Sequence, residues 1–502
     1  MMTRTHRFIP WLAALLLQGC AVNPKYTRPP APVPGEWPGG AASAGSVTPA
    51  EAPTAPELSW PEFLNDEKLV QVVEMALKNN RDLRIAALNV ERARNLYGIR
   101  YADLLPVVEA SGRWSEQEMH LSFLDQTMKV TSASVDLGIT SWEIDLFGRI
   151  RSLKDKALEE FLATAQAHRG ARILLVAETA NAYYTLAADR ERLRIAQSTL
   201  DTQRAAYELI QKRFAGGISP ELDLKQAQTR VDAAQVDIAV YTRLAALDEN
   251  ALNLLAGQPV PAGLLPDGLQ AIQPPRDISP GVSSDVLLAR PDILQAEHQL
   301  KAANANINAA RAAFFPRISL TTALGTASGQ LSGLFASGSS TWNYAPQIVM
   351  PIFDTRVWFG FKATQIEREI ALAHYEKAIQ SAFREVADAL AVRGTIGEQL
   401  AAQQSLLDAV AETYRLSELR YTKGVENYLT VLDAQRSLYD AQQGLVAARL
   451  MELTNRVRLF AVLGGGFPAP EAEPAGDRRP EVAGGEPSHG HLANVSQPSG
   501  DL

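Results

Sequence analysis

Apolar residues recur along this chain with two periods, and the two periods alternate twice. Leu193, Ala196, Leu200, Gln203, Tyr207, Ile210 and Phe214 follow one another at steps of three and four. A sustained mean spacing of 3.5 is the mark of helices packed as in a coiled coil. Leu400, Gln403, Leu407, Val410, Tyr414, Ser417 and Tyr421 repeat the spacing in the second half. Residues 148–215 hold no Pro, and one helix over them would run about 100 Å at 1.5 Å per residue. Elsewhere the period falls to two. Val108, Ala110, Gly112 and Trp114 alternate with Glu109, Ser111, Arg113 and Ser115, and Ala133, Val135, Leu137 and Ile139 form a second such row. Ile318, Leu320, Thr322 and Leu324, then Trp342, Tyr344, Ile348 and Met350, give two more. These rows predict four strands of about 10 residues, in two hairpins, over about 107–117, 132–144, 317–327 and 341–350. Pro106 and Pro316 stop the helices before the first and third strands, because Pro lacks the N–H and disfavours helical geometry in the residue before it.

The helical unit is written twice. Arg213-Phe214-Ala215-Gly216-Gly217-Ile218 returns about 207 residues later as Arg420-Tyr421-Thr422-Lys423-Gly424-Val425, with no insertion needed to keep register. Leu222 matches Leu429, Leu224 matches Val431, and Ala227 and Gln228 match Ala434 and Gln435. The organisation predicted is a first repeat over 62–280 with a long hairpin at 148–256, and a second over 281–465 with a hairpin at 354–463. Residues 62–78 read as a short amphipathic helix. The Pro/Gly/Ala/Ser-rich stretch to residue 61 reads as an extended linker, and 466–502 as a tail that cannot bury a core.

Strand rows with one apolar and one polar face are the signature of an outer-membrane barrel, and also of a water-soluble sheet with one face on a core. The N-terminus favours the barrel. Arg4 and Arg7 precede the apolar run Trp11–Leu17, too short to span a bilayer, which together read as an export signal over 1–19. Trp114, Trp142, Trp342 and Tyr344 sit near strand ends, where an aromatic girdle belongs. Four strands cannot close a membrane barrel, whose smallest form has eight, so spanning strands require protomers that share one barrel. The net charge of −8 argues against a nucleic-acid partner, and the single cysteine, Cys20, excludes an intrachain disulfide. No phosphate loop, nucleophile elbow or zinc-protease motif is present, which points away from an enzyme; no cofactor or metal is expected. His168 and His374 occupy matching repeat positions and read as helix histidines copied by duplication.

Several stretches together resemble the outer-membrane factor family of tripartite efflux pumps (the TolC superfamily), in its OprM/NodT-type lipoprotein branch. They are Leu17-Gln18-Gly19-Cys20 followed by Asn23-Pro24-Lys25-Tyr26; Ser141-Trp142-Glu143-Ile144-Asp145-Leu146-Phe147-Gly148-Arg149; Arg290 to Ile293; Ala312-Ala313-Phe314-Phe315-Pro316; and Arg420-Tyr421 through Gly424-Val425 to Val431-Leu432-Asp433-Ala434-Gln435. The first resembles a lipobox, in which Cys20 carries the lipid; Gln18 departs from the small residue usual there, and Asn308 from a frequent Gly. The resemblance implies a mainly α homotrimer with a membrane β part. Each protomer gives four strands to a twelve-stranded β-barrel, which a long periplasmic α-helical barrel continues. It implies a passive outer-membrane exit channel for drugs, toxic compounds or metals. Its expected partners are a periplasmic adaptor, an inner-membrane transporter of the RND type, and outer-membrane lipid. The turns at Gly217, Gly424 and Val425 are the expected adaptor contacts. Arg213, Glu418, Arg420 and Asp433 read either as contacts of the periplasmic gate or as plain helix-surface charges. The alternatives of another class are a periplasmic coiled-coil adaptor and a trimeric adhesin without a channel.

Overall fold

A computed structural model of the chain describes residues 26–38, 53–55, 58–121, 126–279 and 284–465. The signal segment, Cys20 and the tail from 466 lie outside the described residues. In chain order the elements are α1 (Trp60–Leu64), α2 (Glu67–Asn79), α3 (Arg81–Ala102), β1 (Val108–Leu121), β2 (Gln126–Glu143), α4 (Arg149–Ala215), α5 (Glu221–Ala256), α6 (Pro291–Ala312), β3 (Arg317–Ser328), β4 (Ser340–Val349), α7 (Thr355–Thr422) and α8 (Tyr428–Val462). The two repeats are helix, hairpin of strands, hairpin of long helices. Helices α4 and α7 run unbroken for 67 and 68 residues, so Gly170 does not interrupt the first, while Gly148, left-handed at φ 75°, bounds its start.

Local chemistry sets the ends. The single helix expected over 62–78 is broken at Asn65, which adopts φ 56°, and restarts where the Asp66 carboxylate accepts from the N–H groups of Lys68 and Leu69. Asn80 caps α3 in the same way, and Pro291 occupies the first turn of α6. The strands form one antiparallel sheet in the order β1-β2-β3-β4. A bulge at Ser141 (φ 55°) shifts the β2–β3 register between Ile139 and Trp142.

The first hairpin is taller than the apolar rows suggest: β1 has 14 residues and β2 has 18. Its top, expected as a polar loop, is ladder. There Ser115 and Ser132 share a hydroxyl hydrogen bond, and Lys129 pairs with Glu116. Cross-strand polar pairs hold this part together, and a hydrophobicity scan cannot see them. The alternating apolar row therefore ends at Trp114, and above it only Met119, Met128 and Val130 are exposed large apolar residues among the described ones.

The heptad stripe of α4 is real core: Ala196, Leu200, Gln203 and Ile210 are buried. The matching stripe of α7 is only half-buried within one protomer, apart from buried Ser417. Most apolar volume gathers around the middle of the hairpins. Phe63 stacks on Phe460 with centroids 4.0 Å apart, and Tyr183, Tyr184 and Tyr375 are fully buried nearby. The connector between the repeats wraps this level and is tied down by arginines. Arg190 donates to the Pro266 carbonyl (2.8 Å), Arg393 to Ile278 (2.6 Å) and Arg456 to Pro275 (3.1 Å).

The N-terminal segment is not a free linker. Over 26–38 it is extended and seated: Arg28 pairs with the buried Glu297 of α6, Trp37 stacks on Phe383 at 5.3 Å, and Ser284 donates to the Pro34 carbonyl at 2.7 Å. Glu297, also held by Lys301 at 3.1 Å, would be a costly buried charge without these cations.

Gly257 ends α5 at φ 71°, and a Cβ there would lie 2.5 Å from the Asn79 carbonyl oxygen. Gly257→Ala is expected to cost about 1–3 kcal/mol and lower the melting temperature of the purified protein, from left-handed strain and collision together. Gly263→Ala, with nothing within 4 Å, should leave it unchanged. Equal melting of the two variants would refute this account.

Candidate functional site

At the end of the helical hairpins away from the sheet, the two repeats meet in one small core. Ile210 of α4, Ala227 of α5 and Tyr428, Val431 and Leu432 of α8 are buried there, flanked by Tyr207, Leu224, Tyr414 and Tyr421. The turns that close the hairpins are built alike. Ile218 N–H donates to Arg213 O (2.8 Å) and Val425 N–H to Arg420 O (2.9 Å), while Gly217 and Gly424 take φ 71° and 74°. This is a Schellman closure, which needs its left-handed residue just past the helix end. The first turn leads into α5 from Pro220. The second leads into α8 from Asn427, whose side chain accepts from Thr430 N–H at 3.2 Å.

Each charged candidate has a definite place. Arg213 sits over the Tyr421 ring, 5.1 Å from its centroid, and so joins the first hairpin to the second. Arg420 binds Glu426 at 2.9 Å, across its own turn. Asp433 faces Arg436 at 3.7 Å, with both side chains well exposed. Glu418 is exposed on α7. Burial raises the Tyr414 phenol above its ordinary value, and the Glu418 charge adds to this. Within one protomer, then, the tip brings Arg213 to Tyr421 and leaves the Glu418 and Asp433 carboxylates directed at open space or at a helical neighbour.

The sequence reading named Val425 at the second turn but missed the aromatic pair beside it and the other apolar residues of the rim. Tyr421 and Tyr428 pack ring to ring at 5.3 Å, and burial pushes the Tyr428 phenol up to about 12. Ile218 and Val425, at matching repeat positions, are 73% and 64% exposed, and Leu222 and Leu429 beside them are also exposed. The repeat alignment could have added Ile218, Leu222 and Leu429 to Val425, because apolar residues at equivalent exposed turns need a reason.

The histidine pair forms no site: His168 is half-buried, with its pKa lowered by burial and by Arg172, and His374 is exposed. No group of three or more metal-ligating side chains occurs among the described residues.

The family model for outer membrane efflux proteins matches residues 72–258 and 282–465, which are the two repeats. The chain belongs to the outer membrane efflux protein family. It is 45% identical over 460 residues to the toluene efflux pump outer membrane protein TtgC of Pseudomonas putida, covering 91% of this chain and 94% of that one. A crystal structure of a membrane protein from Pseudomonas aeruginosa superposes with a TM-score of 0.82 at 38% identity, covering 90% of this chain and 99% of that one. The open state of the Neisseria gonorrhoeae MtrE outer membrane channel superposes with a TM-score of 0.80 at 34% identity, covering 89% and 98%. The protein is an outer-membrane efflux channel with a periplasmic helical extension, and its fold is that of the trimeric channels of this group. The family's role is transport. Membership sets aside the adaptor and adhesin alternatives.

Tyr428→Ala should open the tip core locally. Hydrogen exchange is expected to speed up over 207–231 and 414–435 and to stay unchanged around Tyr183 and Phe460. Uniform change along the hairpins would contradict a separate tip core.

Proposed function

We propose that three copies form a passive duct whose β-barrel crosses the outer membrane and whose helical tips close and dock in the periplasm. The observation that carries this reading is an unfinished repeat. Inside the protomer, Phe147 at the start of α4 stacks on Phe315 at the end of α6, with centroids 4.9 Å apart. The equivalent of Phe147 in the second repeat is Phe353, and the equivalent of Phe315 in the first is Leu105. Phe353 is 91% exposed, its neighbour Ile352 87%, and Leu105 is also exposed. Helix α6 packs on both α4 and α7, whereas its counterpart α3 packs chiefly on α4. A second copy that sets its α3 and Leu105 against α7 and Phe353 repeats the internal contact, and three such steps close a ring of six half-repeats.

In that ring the strands complete a twelve-stranded barrel, and six turns converge at one mouth. Exposed Ile218, Leu222, Val425 and Leu429, carried on turns that Gly217 and Gly424 shape, offer an apolar rim to a periplasmic adaptor. An inner-membrane transporter of the RND type supplies the energy and chooses the cargo. The name of the toluene efflux relative supports small toxic molecules as that cargo. Arg213 over Tyr421 and Arg420 on Glu426 hold the tip shut, and threefold Glu418 and Asp433 line the cation path beside them. Cys20 carries the lipid that tethers the N-terminus to the outer membrane.

Phe353→Asp should abolish the heat-resistant trimer in outer-membrane fractions, while Arg356→Gln, exposed beside it, should not. A trimer surviving Phe353→Asp would count against the seam. Arg213→Leu combined with Arg420→Ser should raise single-channel conductance in planar bilayers severalfold, and an unchanged conductance would remove these residues from the gate. Deletion of the gene should sensitise the cell to toxic organic compounds; unaltered susceptibility to every compound tested would defeat the efflux assignment.

A further inference from the structure

The first helical hairpin carries two carboxyl groups at positions where the second carries none; the nearest acid there, Glu452, is paired with Arg456 at 2.8 Å. Asp189 of α4 is buried, and Asp248 of α5 lies against it. Counting on 207 residues, Asp189 becomes Ile396, which is buried, and Asp248 becomes Asn455, whose amide donates to the Ala389 carbonyl at 3.0 Å. The second hairpin thus closes this level with an apolar side chain and a satisfied amide. In the first, Asp248 Oδ2 is shut from water and finds no donor among the described residues.

The neighbouring cations are engaged elsewhere. Arg192 donates to Asp189 Oδ1 at 2.7 Å. Arg190 serves the Pro266 carbonyl and Glu249, and Arg194 serves Glu191, which also accepts from Gln270 of the connector. From the side of α8, Gln443 accepts from Tyr241 at 3.3 Å, and Tyr439 interacts with Asp237 and Tyr241. Two carboxylate oxygens pressed together away from water repel unless a proton lies between them.

We propose that Asp248 holds a proton against the buried Asp189 carboxylate, and that this proton is a clasp between the two helices of the first hairpin, closed in acid and open at neutral pH. Burial, helped by the Asp189 charge and opposed by Arg192, holds the Asp248 carboxyl up at about 6. The sign follows from a folded pKa above the ordinary value of 3.8. The clasp contributes fully below about pH 4 and is lost as pH rises through about 6. The clasp lies at the level of the connector, above the tip core, so it sets how firmly α5 is held to α4 where the hairpin leaves the belt.

Hydrogen exchange of the full-length trimer in detergent tests this, read as protection factors over 186–192 and 245–251 at pH 5 and pH 7.5. Wild type should lose protection on going to pH 7.5, by a factor that a pKa of about 6 limits to about 10 over this interval. Asp248→Asn supplies an amide donor in place of the proton and should show equal protection at both pH values; Asp189→Asn makes the same exchange from the other helix. Glu249→Gln should keep the wild-type response. Equal wild-type protection at the two pH values would overturn the clasp, and so would a loss that persists in both Asn variants.

Discussion

In hydrocarbon no water is available to a backbone N–H or C=O, so every strand edge must find a partner. This chain makes a sheet of four strands in sequential order and leaves the outer edges of β1 and β4 open. All ten residues of β4 are exposed in the single protomer. Much of the rest follows from that constraint. A lone protomer cannot keep such a sheet in a membrane, and only a closed ring of copies removes both edges. The long helices share the difficulty. The α7 stripe is half-buried, and α3 has one buried residue against eight on its counterpart α6.

The internal duplication makes closure possible without a new kind of contact. In the proposed ring, what α6 does for α4 inside the protomer, α3 of the next copy does for α7. Where the two halves differ, they differ for a purpose that sixfold identity would not serve. The first turn enters its second helix through Pro220 and the other through Asn427. Arg213 faces an aromatic ring while its counterpart Arg420 bridges its own turn to Glu426. An acid pair sits at the belt in one hairpin, and an amide and an isoleucine sit there in the other. The tip is therefore a pseudo-sixfold frame with threefold chemistry.

Much of this was legible in the residues. Heptads from Leu193 to Phe214 dictate long packed helices, and Pro106 and Pro316 mark where helix gives way to strand. What was not legible depends on partners far apart or on polar pairing. The upper part of β1 and β2 reads as loop because Glu116 and Lys129 stabilise a ladder that carries no apolar period. Residues 26–38 read as linker because Pro and Gly dominate, yet Arg28 meets Glu297, 269 positions away. Arg420 meets Glu426 because the Schellman turn folds the chain back on its own helix end. The aromatic pair Tyr421 and Tyr428 lies at that same turn and shows only when the two helices are brought together.

The central claim is that open strand edges and half-finished helix seams are completed by identical copies. Native mass spectrometry of the protein released from outer membranes in mild detergent measures this directly. The account predicts a single species of three protomers, with monomer appearing only after heating unfolds the strands. A folded monomer that retains its sheet in the membrane, or an assembly whose copy number is not three, would contradict it.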